Sequence, residues 1–224
     1  GSIEFYHACM KEGVKPIIGL DAYLAPKGRL VKGEDREAAK MPNRRVVLLA
    51  KNYEGYQALC AISSTGFQEG FYYKPRIDYE VLEAHKDNLI VLSGGPRGDV
   101  PFHFTEFGKE AALEKVKYYQ GLYGDNFYLE ICRPGVSEYR AINDFLIEAS
   151  KETGVKLVAT NNVHYMQSDD SLAQEVLICV GTNKTLQDEA RYRLGSDQFY
   201  FKTPSEMEAL FSDIPEALSN TNEI

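Results

Sequence analysis

A chain of 224 residues with 44% apolar and 26% charged side chains can bury the core of one sizeable α/β domain, and no run approaches the roughly 20 apolar residues that cross a bilayer. Acidic residues outnumber basic ones 33 to 25, a formal charge of -8, which argues against a surface built to hold phosphate backbones. The four cysteines, Cys9, Cys60, Cys132 and Cys179, lie far apart with no C-x-x-C pair, which argues against a zinc ribbon and gives no disulfide framework; reduced core thiols are expected.

The opening Gly1-Ser2-Ile3-Glu4-Phe5-Tyr6 has neither the basic n-region nor the apolar h-region of a signal peptide, so a cytoplasmic location is expected. Ile3, Phe5, Tyr6, Cys9 and Met10 follow helical spacing, and Gly13 is placed to stop that helix. Residues 17–24 read as a buried strand with one carboxylate, Asp21, in its second half. Residues 26–44 mix Lys, Gly, Glu, Asp and Arg without period and are expected as a loop. A second strand over 46–50 runs through Asn52 and Gly55 into a helix carrying Tyr56, Leu59, Cys60 and Ile62.

Residues 70–78 form an aromatic and basic loop. Lys74 and Arg76 there, with Arg97 further on, are the candidates for nucleic-acid contact, against the alternative that such clusters pack a loop onto its own domain. After a short helix around residues 79–85, a third strand over 88–93 ends in Gly94-Gly95-Pro96-Arg97-Gly98-Asp99. That turn has neither the phosphate-loop spacing nor G-x-G-x-x-G, and is read as a plain turn. A helix over 109–123 leads to a fourth strand, 126–131, with Glu130 near its end; Tyr139, Ile142, Phe145, Leu146 and Ala149 mark the next helix, closed by Gly154.

The fifth strand starts at Leu157 and breaks into Thr160-Asn161-Asn162-Val163-His164-Tyr165. Ligands and catalytic groups collect past the carboxyl ends of parallel strands, so this polar tail marks a candidate site. Beyond it come a helix over 169–180, a peripheral strand over 197–201, a capping box at Thr203-Pro204-Ser205-Glu206 and a last helix from Pro215. His7, His85 and His103 have no partners at useful spacing and are expected on the surface or in loops. The βα alternation implies an α/β fold with a parallel sheet, a single domain with barrel units over 1–165 and a helical extension over 166–224.

Several stretches, in this order, resemble one family: the PHP (polymerase and histidinol phosphatase) domain of bacterial replicative DNA polymerase III alpha subunits. They are Ile3-Glu4-Phe5-Tyr6 with Gly13-Val14-Lys15-Pro16-Ile17-Ile18-Gly19, Leu48-Leu49-Ala50-Lys51-Asn52, Gly70-Phe71-Tyr72-Tyr73-Lys74-Pro75-Arg76-Ile77-Asp78, Ala159-Thr160-Asn161-Asn162-Val163-His164-Tyr165 and Leu210-Phe211-Ser212-Asp213-Ile214-Pro215. The resemblance covers nearly the whole chain. It implies a distorted, parallel-stranded (β/α)7-type barrel, of which about five of the seven strands are found here, with the family's first strands expected upstream of Gly1.

The resemblance also implies a cluster of up to three divalent metals, zinc, manganese or iron, with phosphoesterase or 3′-5′ proofreading exonuclease activity where the cluster is intact. Carried over position by position, the cluster is depleted. The family's H-x-H and Asp-His would precede Gly1. Asp21 stands for the usual Glu, Arg45 (or Arg44, one position earlier) replaces a ligand histidine, Gly95 replaces a ligand cysteine or histidine, and Asn162 replaces the aspartate of D-x-H. Asp21 and His164 are the remaining metal-ligand candidates, and two ligands fall short of the three that even sparse zinc sites use. The guanidinium of Arg45 is expected to neutralise Asp21 instead. No bound cofactor is therefore expected. The resemblance implies a structural and docking role within the polymerase chain, a surface for a proofreading exonuclease subunit, and only indirect contact with DNA.

Overall fold

Side chains alternate between buried and half-exposed along β1 (Gly19–Leu24) and β2 (Arg44–Ala50), the period of a strand with one face on a core. The computed structural model describes residues 1–32 and 41–224, so residues 33–40 of the loop expected over 26–44 lie outside the described residues. β1 and β2 pair antiparallel, with Gly19 opposite Leu49 and Leu24 opposite Arg44. A two-residue strand, β3 (Arg76–Ile77), adds parallel to β1 inside the segment expected to be all loop. On the other side β4 (Leu89–Leu92) runs antiparallel to β2 and parallel to β5 (Phe127–Cys132). The strand order is β3-β1-β2-β4-β5-β6, with β6 covering Leu157–Thr160.

The α/β class read from the sequence is the class found. The reversed strand is β2, which runs against both neighbours; an apolar run encodes burial and period but not direction, so the pattern could not show this.

The chain divides into two compact units, residues 1–129 with 149–156 and 224, and residues 130–148 with 157–223. In the first, α2 (Tyr53–Gln68) starts where Asn52 Oδ1 accepts from Gly55 N at 2.9 Å and buries Gly55, Leu59, Ile62 and Gly66 along one face. Gly55 is required by the packing, because a Cβ there would fall 2.2 Å from the Asn88 carbonyl oxygen. α3 (Tyr79–Ala84) is capped by Asp78, and α4 (Asp99–Phe107) and α5 (Lys109–Tyr123) follow β4. Leu24, Leu48, Ile62, Leu82, Val91 and Val116 are fully buried in this unit, each contributing about 1.5–3 kcal/mol. α1 (Ser2–Lys11) is the exception: its apolar residues Ile3, Phe5, Tyr6 and Met10 are all exposed.

In the second unit Ile131, Leu146 and Phe211 are fully buried. It holds most of α6 (Ser137–Thr153) and all of α7 (Ser171–Thr182), α8 (Pro204–Leu210) and α9 (Pro215–Ser219). The capping box at α8 is as read from the sequence: Glu206 accepts from Thr203 N at 2.8 Å and Thr203 Oγ1 accepts from Glu206 N at 3.3 Å. Residues 197–201 form no strand; they make a single parallel bridge, Tyr165 with Tyr200. All four cysteines are free, but only Cys132 and Cys179 lie in the core; Cys9 is half-buried on α1, and Cys60 is exposed, away from the buried face of α2. No helix among the described residues is long and apolar enough to cross a membrane.

Candidate functional site

Two adjacent arginines at the start of β2 have opposite fates, because a strand sends successive side chains to opposite faces. Arg45 shares a face with Val47, across from Tyr23 and diagonal to Asp21. Its guanidinium reaches the Asp21 carboxylate, Nε donating to Oδ1 at 2.9 Å and Nη2 meeting Oδ2, so one side chain engages both oxygens.

Arg44 points inward with Val46 and Leu48 and is 6% exposed. Its Nη1 donates to Asp99 Oδ1 at 2.9 Å, while the hydroxyls of Tyr79 and Tyr119 donate to Asp99 Oδ2 at 2.6 and 3.0 Å. Asp99, 1% exposed, thus accepts three hydrogen bonds. Burial and the neighbouring Asp99 charge push both tyrosine hydroxyls well above their ordinary range. His103 Nδ1 donates to the Asp99 carbonyl oxygen at 2.7 Å, and burial holds its imidazole below the usual value. His103 is therefore part of a buried network, not a loop histidine. The Arg44 guanidinium also lies 4.9 Å from the Phe102 ring centre, and its Nε has no partner among the described residues.

The glycine-rich turn after β4 is held by its own backbone. Gly98 N donates to the Gly95 carbonyl at 2.9 Å, and Gly98 leaves room for the Ser93 carbonyl, which a Cβ would approach to 1.8 Å. Gly95 itself faces open space at φ +60°, and Arg97 is exposed. In the aromatic loop Lys74 is exposed, its ammonium 5.9 Å from the Tyr23 ring centre. Arg76 is 5% exposed and spends its donors on the carbonyls of Gly70, Arg29 and Val31 at 3.0, 3.2 and 2.9 Å. Its guanidinium lies 5.3 Å from the Tyr72 ring centre, so it packs the loop from beneath.

Asn162 and His164 belong to the second unit. Asn162 sits at φ +39° and its Nδ2 donates to the Tyr139 hydroxyl at 3.2 Å. Burial pushes Tyr139 up to about 12. His164 is exposed, donates its backbone N–H to the Phe199 carbonyl at 2.8 Å and sets its ring edge-on to Phe199 at 5.4 Å. Nearby, Thr160 Oγ1 donates to Glu130 Oε1 at 2.7 Å, and buried Lys202 donates to Asn161 Oδ1 at 3.3 Å. Burial lowers the Lys202 ammonium from its usual range. Asn143 clamps the Cys132 peptide with both ends of its amide, and Arg133 meets both oxygens of Asp213 at 2.6 and 2.8 Å.

Among the described residues, no three His, Cys, Asp or Glu side chains gather as a set that could hold a metal ion. The Arg44–Asp99 network and the Lys202 contacts were not read from the sequence.

The sequence profile of the "PHP domain" family matches residues 1–134, more than half of the chain. The chain belongs to the PHP-domain family. Relatives match the chain along nearly its whole length. It is 42% identical to the DNA polymerase III subunit alpha of Helicobacter pylori strain 26695, over 100% of this chain and 19% of that protein. It is 39% identical to the same subunit of Borreliella burgdorferi, over 99% of this chain and 19% of the relative, and 38% identical to that of Thermus aquaticus, over 100% and 18%. This PHP-family chain therefore spans about a fifth of the length of the curated relatives it matches.

Proposed function

We propose that this chain is the PHP portion of a bacterial DNA polymerase III alpha subunit, serving DNA replication as a non-catalytic structural and protein-docking module with a degraded metal site. The observation that carries the reading is the Arg45–Asp21 ion pair. Metal-assisted phosphoester cleavage needs a metal-bound hydroxide and several converging cations, hence several anionic or imidazole ligands. At Asp21 a guanidinium already engages both oxygens, and its positive charge opposes a divalent ion at the same place. Arg45, Gly95 and Asn162 supply no anionic or imidazole ligand at three further positions, which leaves His164 as the other candidate in this chain. A zinc, manganese or iron cluster does not fit this donor set.

In this reading the parent polypeptide performs template-directed nucleotidyl transfer in the cytoplasm with residues outside this chain. The partners of this portion are the rest of that polypeptide and a separate proofreading exonuclease subunit. DNA is met only indirectly: Arg76 is buried, and the exposed Lys74 and Arg97 stand on a chain whose overall charge is -8.

The test is 3′-end cleavage of DNA by the full-length subunit in the presence of Mn2+, Zn2+ or Fe2+. The expected result is no cleavage beyond that of the His164→Ala variant. Metal-dependent cleavage that His164→Ala abolishes would overturn the reading in favour of a working phosphoesterase.

A further inference from the structure

Lys115 stands on α5 among groups that disfavour its charge. Its Nζ lies 4.2 Å from the centre of the Tyr79 ring and 5.4 Å from that of Tyr118, and the two rings meet edge-on at 5.2 Å. The side chain is half-buried, and none of the described residues accepts a hydrogen bond from it or sets a carboxylate within ion-pair distance. Asp99, the buried acid of this cluster, already accepts from Arg44, Tyr79 and Tyr119. Arg44 from β2, His103 from α4 and Lys115 from α5 thus share one carboxylate. Of the other acids here, Glu83 accepts from the Tyr118 hydroxyl at 2.8 Å, and Glu114 is exposed at the preceding position of α5.

The ring faces hold the nitrogen in either state, by cation–π attraction when it is charged and by N–H···π contact when it is neutral. Burial without an acceptor and the Arg44 charge act against the charged state alone. Burial lowers the Lys115 ammonium from its ordinary range against the pull of Asp99, and Arg44 lowers it further, with Glu114 opposing. Desolvation and a neighbouring cation are the two conditions that make a lysine nucleophilic near neutral pH. We propose that Lys115 is a covalent modification site for small activated acyl donors of the acyl phosphate class. The free amine attacks the acyl carbon, the bond from that carbon to the phosphate oxygen breaks with its electron pair leaving on phosphate, and the amine proton passes to the departing phosphate. A small donor is selected because the half-buried setting narrows the approach. The product amide is neutral, so modification removes one positive charge from the three nitrogen groups around Asp99.

The experiment incubates the full-length subunit with acetyl phosphate across about pH 6.5 to 9.5 and follows each lysine of these residues by tandem mass spectrometry. Exposed Lys117, two positions along the same helix, is the internal reference. Near neutral pH Lys115 is expected to acetylate at least about threefold faster than Lys117 despite its lower exposure, because its free-amine fraction is larger. Its rate is expected to level off within that range, where the rate at Lys117 still climbs about tenfold per pH unit. Acetylation of Lys115 no faster than that of Lys117, or a Lys115 rate that climbs in parallel with it to the top of the range, would overturn the proposal.

Discussion

Arg45 engages both carboxylate oxygens of Asp21 diagonally across the antiparallel β1–β2 pair, with Nε 2.9 Å from Oδ1. The contact couples two positions that the family resemblance marks as metal-ligand positions, and it sets a guanidinium against the acid.

This pair is held at low cost to stability. The two side chains are 39 and 38% exposed, so solvent screens them and the contact contributes less than about 1 kcal/mol. Arg45→Ala in the full-length subunit is expected to leave amide exchange in β1 and β2 within about 1 kcal/mol of the parent. A loss of several kcal/mol would show that Arg45 has a buried structural role that its exposure does not suggest.

The neighbouring pair behaves oppositely. Asp99→Ala leaves the buried Arg44 guanidinium without its counter-charge and strands the hydroxyls of Tyr79 and Tyr119, so amide exchange should report about 3–5 kcal/mol of lost protection in α4 and α5. The double change Arg44→Met with Asp99→Leu removes both charges together and should recover most of it. If the double variant is as damaged as the single one, the network matters through shape rather than charge.

The α8 N-terminus should be acid-sensitive in a defined window. Hydrogen bonds from the Tyr200 hydroxyl and then from Thr203 hold the Glu206 carboxyl down to about 2, against an ordinary value of 4.5. A depressed carboxylate stabilises the folded state above its unfolded value, and that contribution is lost as pH falls from 4.5 through about 2. Amide exchange of residues 203–206 should therefore accelerate across that interval and not above it. Glu206→Gln should flatten the response; an unchanged profile in that variant would assign the acid sensitivity to another group.

Much of the fold is legible in the sequence because burial has a period. The strands at 19–24, 44–50 and 157–160 and the helices at 53–68, 109–123, 137–153 and 204–210 announce themselves by spacing and by Asn52, Gly154 and Thr203 at their ends. Two features are not local. Arg44 and Asp99 are 55 residues apart, so their pairing exists only in the folded chain. α4 lies just past a glycine-rich turn, has no side-chain cap and carries Pro101, signals that read as continued loop. The i, i+4 spacing of Asp99 and His103 was a usable signal, and so was the period-2 rule that sends Arg44 inward with Val46 and Arg45 outward with Val47. Asp21, Arg45, Asn162 and His164 could be named from the sequence as positions to inspect; their contacts, among them Arg45 to Asp21 and Asn162 to Tyr139, needed the structure.

The central claim is that Asp21 answers to a guanidinium and not to a metal ion. The most direct measurement is elemental analysis of the full-length subunit, purified without chelator and dialysed against metal-free buffer, beside its Asp21→Ala and His164→Ala variants. The account predicts no stoichiometric zinc, manganese or iron that depends on either residue. Stoichiometric metal in the parent protein that either substitution releases would contradict it.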